Sequence, residues 1–183
     1  MSLYTTFKQT GRKELQEKLQ KANVHQVARL DKVIVSMGIG SLVTRKGAKD
    51  FADLEDNLRV ITGQHPQRVL AKKSVSNFKL REGMPVMLKV TLRGEKAYDF
   101  IERMSTLVLP RVRDFAGIST RKFDGRGNYS LGFKSQVVFP EIMPEEIKTP
   151  MGIQVNVCTT ADVDEDAKAL LEQLGIIFEK KQQ

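Results

Sequence analysis

Residues 86–93 read VMLKVTLR, and every second side chain is apolar. Val86, Leu88, Val90 and Leu92 fall on one side, and Met87, Lys89, Thr91 and Arg93 on the other. A period of two marks a strand with one face on a core and the other facing water. A sheet covered by helices on both faces would carry near-continuous apolar strands. This strand therefore predicts an antiparallel sheet with helices on one side only. Its open face is polar and basic.

The rest of the chain supplies the partners such a sheet needs. Residues 2–22 read as a polar, mostly helical arm with a narrow apolar face, packed on the body or on an external partner. Residues 32–37 (KVIVSM) predict a strand that exits through a tight turn at Gly38-Ile39-Gly40. Phe51, Leu54, Leu58 and Ile61 mark a helix over 47–61, closed by Gly63. A short strand is expected at 67–71, a loop over 72–85 and the alternating strand over 86–92. A second helix follows at 95–108 and ends at Pro110. Residues 110–128 have no clean period and read as a long loop. Residues 129–133 and 136–139 read as a strand pair or one bent strand, and a final strand is expected at 153–158. Asp162 and Glu165 have capping-box spacing before a last helix that ends at Gly175. The order is that of an α+β fold: a mainly antiparallel sheet with helices packed on one face, and long basic loops. One domain is expected over residues 1–183, with subregions of about 24–80 and 84–178 sharing one sheet.

Charge sharpens the picture. The formal net charge is +8 and the isoelectric point is about 9.6, which favours polyanionic partners. The surplus is concentrated. Residues 64–94 carry Arg68, Lys72, Lys73, Lys79, Arg81, Lys89 and Arg93 against the single acid Glu82. Residues 110–140 are again basic, whereas the segment after 141 is acidic. One side therefore meets a polyanion and another faces away.

Several functions find no support. One cysteine, Cys158, permits neither an internal disulfide nor a cysteine metal cluster, and its apolar neighbours predict a buried thiol. Two histidines do not make a zinc site, and no cofactor is expected. No apolar run approaches the ~18–20 residues that span a membrane, and no secretory signal is visible at the N-terminus. A cytoplasmic protein is expected. GxSxG, HExxH and Walker-type glycine loops are absent, so the chemistry of an enzyme is not visible. Asp114 and Asp124 read as ion-pair partners of Arg113, Arg121 or Arg126.

Two segments point to RNA. In 72–81, Lys72, Lys73, Lys79 and Arg81 are interleaved with Ser74 and Asn77, which do not oppose an anion. Phosphate contacts would give affinity and strong salt dependence, and Gln64, Asn77 and Thr91 can hydrogen-bond bases or 2′-hydroxyls. In 111–134, Arg111, Arg113, Arg121, Lys122, Arg126 and Lys134 alternate with Phe115, Phe123, Tyr129 and Phe133. Those rings either stack on unpaired bases or anchor the loop, and anchoring is favoured for Phe115 and Phe133. Asp124-Gly125-Arg126-Gly127-Asn128 is a turn whose glycines permit close approach to a neighbouring macromolecule. Composition alone also allows a general RNA chaperone or RNA-processing factor, or a module for acidic protein partners.

The segments ITGQHPQRVLAKKSVSNFKLREGMPV, KVTLRG, LPRVRDFAGIS, FDGRGNYSLGFKSQVVFPEI and TTADVDEDAKALL occur in that order. Together they closely resemble the bacterial form of the fifth large-subunit ribosomal protein, the 5S rRNA-binding family of the central protuberance. The resemblance implies no catalysis. It implies contact with 5S rRNA and large-subunit rRNA, with P-site tRNA, with other 5S-associated ribosomal proteins, and with the thirteenth small-subunit protein across an intersubunit bridge. By the same resemblance, Ser36, Gly38, Gln64, Thr91 and Arg93 match the 5S-binding surface. Lys72, Lys73, Ser74, Asn77, Lys79 and Arg81 match the tRNA-facing loop. Arg111, Arg113, Arg121, Lys122 and Arg126 fall to the bridge or RNA loop. Ser36 stands where the family usually has asparagine, and Met87 where it commonly has glycine.

Overall fold

A computed structural model describes residues 2–47, 50–112, 115–147 and 149–179. It has five strands: β1 (Leu30–Gly38), β2 (Gln67–Leu70), β3 (Pro85–Arg93), β4 (Tyr129–Phe133) and β5 (Ile153–Thr159), ordered β2-β3-β1-β5-β4. Neighbouring strands run antiparallel. Gln67 pairs with Lys89 and Leu70 with Pro85 between β2 and β3. Ile39 N–H, just past β1, reaches the carbonyl of Val86 early in β3 at 2.9 Å. Thr160 N–H, just past β5, reaches Arg29 before β1 at 2.9 Å, and Gln136 after β4 reaches Met151 before β5 at 3.1 Å. The alternation expected of β3 holds from Leu88 onward: Leu88, Val90 and Leu92 are buried, while Lys89 and Thr91 are half-exposed and Arg93 is exposed; Val86, expected on the buried side, is half-exposed like Met87. β4 and β5 alternate in the same way, burying Tyr129, Leu131 and Phe133, and Ile153, Val155 and Val157.

The chain divides into two compact units. One comprises Met1–Val33, Leu92–Leu131 and Asn156–Gln183, and the other Ile34–Thr91 and Gly132–Val155. The first holds the helices α1 (Leu3–Thr6), α2 (Arg12–Lys18), α5 (Glu95–Arg103) and α6 (Asp164–Gln173). The N-terminal arm packs on its own chain. Phe7 and Leu15 are buried, the Phe7 ring lies 5.4 Å from that of Tyr98, and Gln173 Nε2 donates to the Gly11 carbonyl at 2.9 Å. A side chain at Gly11 would meet the Phe7 ring at 2.9 Å, which accounts for a glycine inside a helical arm.

The helix expected at 95–108 is helical throughout but widens to a π turn over Met104–Val108. Ser105 and Thr106 both donate their hydroxyls to the Glu102 carbonyl, at 3.0 and 2.7 Å, and compete with the backbone ladder there. Thr10 does the same to the Thr6 carbonyl at 3.0 Å within the π turn Phe7–Gly11.

The second unit holds α3 (Gly40–Lys46), α4 (Ala52–Thr62) and β2. Leu54, Leu58 and Ile61 of α4 are buried, and Gly63 closes the helix at φ 68° with its N–H on the Arg59 carbonyl at 2.7 Å. Several expectations need correction. Gly40 does not end a turn but starts α3. Residues 136–139 form no strand: Gln136–Val138 is a 3-10 turn, because Ser135 Oγ accepts the Val137 N–H at 3.3 Å and Pro140 removes a donor. Asp162 does not cap α6, which begins at Asp164 after an extended Val163 with no side-chain cap bond. Cys158 is half-buried rather than buried, and burial pushes its thiol pKa up.

Candidate nucleic-acid interface

Strand β3 sets the first part of the surface. Its pleat turns Lys89, Thr91 and Arg93 to the side opposite the buried Leu88, Val90 and Leu92. Gln64 follows the cap of α4. The Thr62 hydroxyl donates to the Leu58 carbonyl at 2.7 Å and accepts the Gln64 N–H at 3.3 Å. That bond fixes the Gln64 backbone while its side chain stays exposed. Gly38 is exposed at the end of β1. Ser36 is different: it is 5% exposed, a buried polar residue within the strand. At the other end of β1, Asp31 lies near Arg93. Its carboxyl is held below the usual range first by the 2.9 Å bond from Lys32, with Arg93 and Arg29 adding attraction.

Not every base of residues 64–94 is free for an external anion. Arg68 on β2 grips the buried Glu55 of α4 through two bonds, Nε to Oε1 and, at 3.0 Å, Nη2 to Oε2. The Arg68 hydrogen bond comes first among the causes that hold the Glu55 carboxyl below its ordinary range. This arginine serves the fold.

The loop after β2 is built from its own backbone. Ala71 N–H donates to the Met84 carbonyl at 2.8 Å and Gly83 N–H to the Ala71 carbonyl at 3.0 Å, closing the base. Val75 and Leu80 form a bridge further out, with a 3-10 turn at Ser76–Phe78 between them. Ser74 Oγ accepts the Glu82 N–H at 2.9 Å, so Ser74 has a structural task in the loop. Lys72, Lys73, Asn77, Lys79 and Arg81 are exposed around this frame.

In the first unit the basic loop is anchored by its aromatic rings. Tyr129 is 1% exposed and donates to the Ser119 carbonyl at 2.9 Å. Desolvation, with Glu179 nearby, pushes its pKa up to about 12. The Phe123 ring lies 4.8 Å from Tyr129 and 5.9 Å from Phe178. Tyr129 therefore anchors the loop and offers no open stacking face; Phe133, in the second unit, is likewise buried.

The 124–128 turn also serves its own chain. Asp124 Oδ1 accepts the backbone N–H groups of Arg126 and Asn128, at 2.8 and 3.0 Å, and Oδ2 accepts the Asn128 amide at 2.7 Å. Among the described residues, Asp124 is held by this turn rather than by the expected Arg121 or Arg126. Asp164 accepts Gly125 N–H at 3.1 Å and Gly127 N–H at 2.9 Å. The close approach at Gly127 is to Ala161 of the same chain, whose carbonyl would lie 2.7 Å from an added Cβ. Arg111, Arg121, Lys122 and Arg126 remain exposed or half-exposed around these anchors. Arg113 and Asp114 lie outside the described residues.

One exposed residue escaped the sequence reading. Phe78, 73% exposed, stands on the 3-10 turn of the lysine-rich loop. Its apolar neighbours at helical and strand spacing, Val75 and Leu80, bridge to each other and leave the ring outside.

Residues 23–81 match the family model described as Ribosomal protein L5, and residues 85–178 match the model for the C-terminus of the same ribosomal family. The large ribosomal subunit protein uL5 of Syntrophomonas wolfei is 47% identical over 176 residues, 96% of this chain and 98% of the relative. Its counterpart in Lactobacillus acidophilus is 45% identical over 172 residues, 94% of each chain. That of Thermosipho melanesiensis is 45% identical over 182 residues, 97% of this chain and 99% of the relative.

Proposed function

The chain belongs to the ribosomal protein L5 family, and on that premise we propose that it holds 5S rRNA in the large subunit through the polar face of β3. As a family member it is a structural, non-enzymatic constituent of the large ribosomal subunit, binding rRNA there in the service of translation. The observation that carries the finer reading is the two-sidedness of β3. Leu88, Val90 and Leu92 are buried, so Thr91 and Arg93 are presented by a strand that cannot rotate without exposing them. Gln64, whose N–H bonds the Thr62 hydroxyl, and Gly38, next to the Ile39 N–H that bonds the Val86 carbonyl, are exposed and join Thr91 and Arg93 as candidate 5S contacts. Ser36, being buried, would act through the strand and not by direct contact.

The loop over 72–81 is the second contact in this reading. It offers Lys72, Lys73, Lys79 and Arg81, with Asn77, to the backbone of P-site tRNA. Arg111, Arg121, Lys122 and Arg126, with Arg113, form the third, toward the thirteenth small-subunit protein or adjoining RNA. Large-subunit rRNA and the other 5S-associated proteins complete the set of partners. The test is a titration of the full chain with 5S rRNA and with an unrelated structured RNA over a salt series. Affinity for 5S rRNA should exceed that for the control at every salt, with both falling as salt rises. Equal affinities throughout would remove specific recognition.

A further inference from the structure

We propose that the cleft between α3 and the 76–80 turn is a binding pocket for one unpaired RNA nucleotide, with the Phe78 ring as its stacking platform. The inference rests on the reading of 72–81 as an RNA-facing loop and goes beyond phosphate contact to a base. The cleft has a volume of about 650 Å³, within the ~300–1,000 Å³ of sites that enclose small ligands. Its wall is made by Ser41, Thr44 and Arg45 of α3 and by Asn77, Phe78 and Lys79 of the turn.

Each part suits a nucleotide. Phe78 is 73% exposed, although burying such a ring is worth about 2 kcal/mol. The backbone holds it there. Phe78 N–H bonds the Val75 carbonyl at 3.3 Å, and Lys79 N–H bonds the Ser76 carbonyl at 2.9 Å. Lys79 sits at φ 52°, a left-handed conformation unusual for a residue that is not glycine. Such strain persists where the surroundings enforce it. Arg45 and Lys79 are the charged side chains among the described lining residues, and both are cations. They favour a phosphate, whereas an apolar or basic protein segment would find no charge complement. Asn77 is exposed and offers both a donor and an acceptor to a base edge. Aromatic stacking accepts any base, so the pocket selects an unpaired nucleotide and not a sequence.

The chain contains no tryptophan, which gives a clean probe. Phe78→Trp places a single indole at the platform. The full-length variant is titrated with an RNA stem-loop bearing one unpaired purine, and with the same stem-loop lacking that base. The fluorescence should be quenched by the first RNA and left nearly unchanged by the second. In parallel, Phe78→Ala should bind the first RNA about tenfold more weakly than the wild type does, with an unchanged circular dichroism spectrum. Equal quenching by both RNAs, or unchanged affinity in Phe78→Ala, would overturn the pocket and leave the ring to a protein contact. The loop reading is tested separately. Replacing Lys72 and Lys73 by Ala should lower the salt dependence of binding to both stem-loops. If it does while Phe78→Ala has no effect, the loop binds RNA and the pocket is wrong. If the double replacement has no effect while the purine-dependent quenching persists, the pocket stands and the phosphate role of the lysines fails.

Discussion

Val75 and Leu80 exchange two backbone hydrogen bonds, 2.9 Å from Val75 N–H and 3.1 Å in return. This bridge, with the bonds between Ala71 and residues 83–84, makes the lysine-rich loop a closed frame. Its shape depends on backbone pairing, and its exposed cations contribute little to it. Lys72, Lys73 and Lys79 can therefore be replaced to test binding without changing the fold, which is not true of every base in the segment.

Arg68 is the counterexample. Arg68→Met leaves the buried Glu55 carboxylate without its partner and should lower the urea midpoint at neutral pH. The folded pKa of Glu55 is depressed, so the pair's stability is present above the ordinary value of 4.5 and is lost as pH falls through the lower folded value. The gap between wild type and Arg68→Met should narrow as pH falls below 4.5. A gap independent of pH would show that the pair does not act through the carboxylate's charge.

Two glycines of one turn should respond differently to alanine. Gly127 has φ 73° and a Cβ there would meet the Ala161 carbonyl at 2.7 Å. Strain and crowding together should cost about 2–5 kcal/mol. Gly125 has φ 81° but open space around it, so about 1–2 kcal/mol of backbone strain is expected. Thermal or urea unfolding of the two variants checks the order, and equal losses would contradict the packing at Ala161.

Tyr129 should ionise only near pH 12 in an ultraviolet titration of the folded chain. Its folded pKa exceeds the ordinary 10.0, so its contribution is complete below 10 and is lost as pH rises through about 12. Tyr129→Phe should remove that last titration step. Persistence of the step in the variant would assign it to another tyrosine.

The sheet was legible in the sequence because β3 and β4 alternate cleanly and because glycine or proline marks several element ends. Residues 136–139 misled because VVF is a strand composition. Ser135 and Pro140, which decide the local backbone, are weak signals beside it. The Gly40–Lys46 helix was hidden because GSLVTRK is too short to show a period. In the 111–134 loop, alternating rings and cations fitted both stacking and anchoring. Only the burial of Tyr129 and the grip of Asp164 on Gly125 and Gly127 separate the two. Phe78 drew no attention in the sequence, although its ring is 73% exposed.

The division of work between strand and loop has a direct measurement: 5S rRNA affinity of the wild type, of Arg93→Ala, and of the chain with Lys72 and Lys73 both replaced by Ala, at one salt concentration. Arg93→Ala should lose about 1–3 kcal/mol if it contacts a base edge, and the double variant should keep 5S affinity nearly intact while losing tRNA contact in assembled subunits. If the double variant loses 5S affinity as severely as Arg93→Ala does, the loop and not the polar face of β3 holds 5S rRNA.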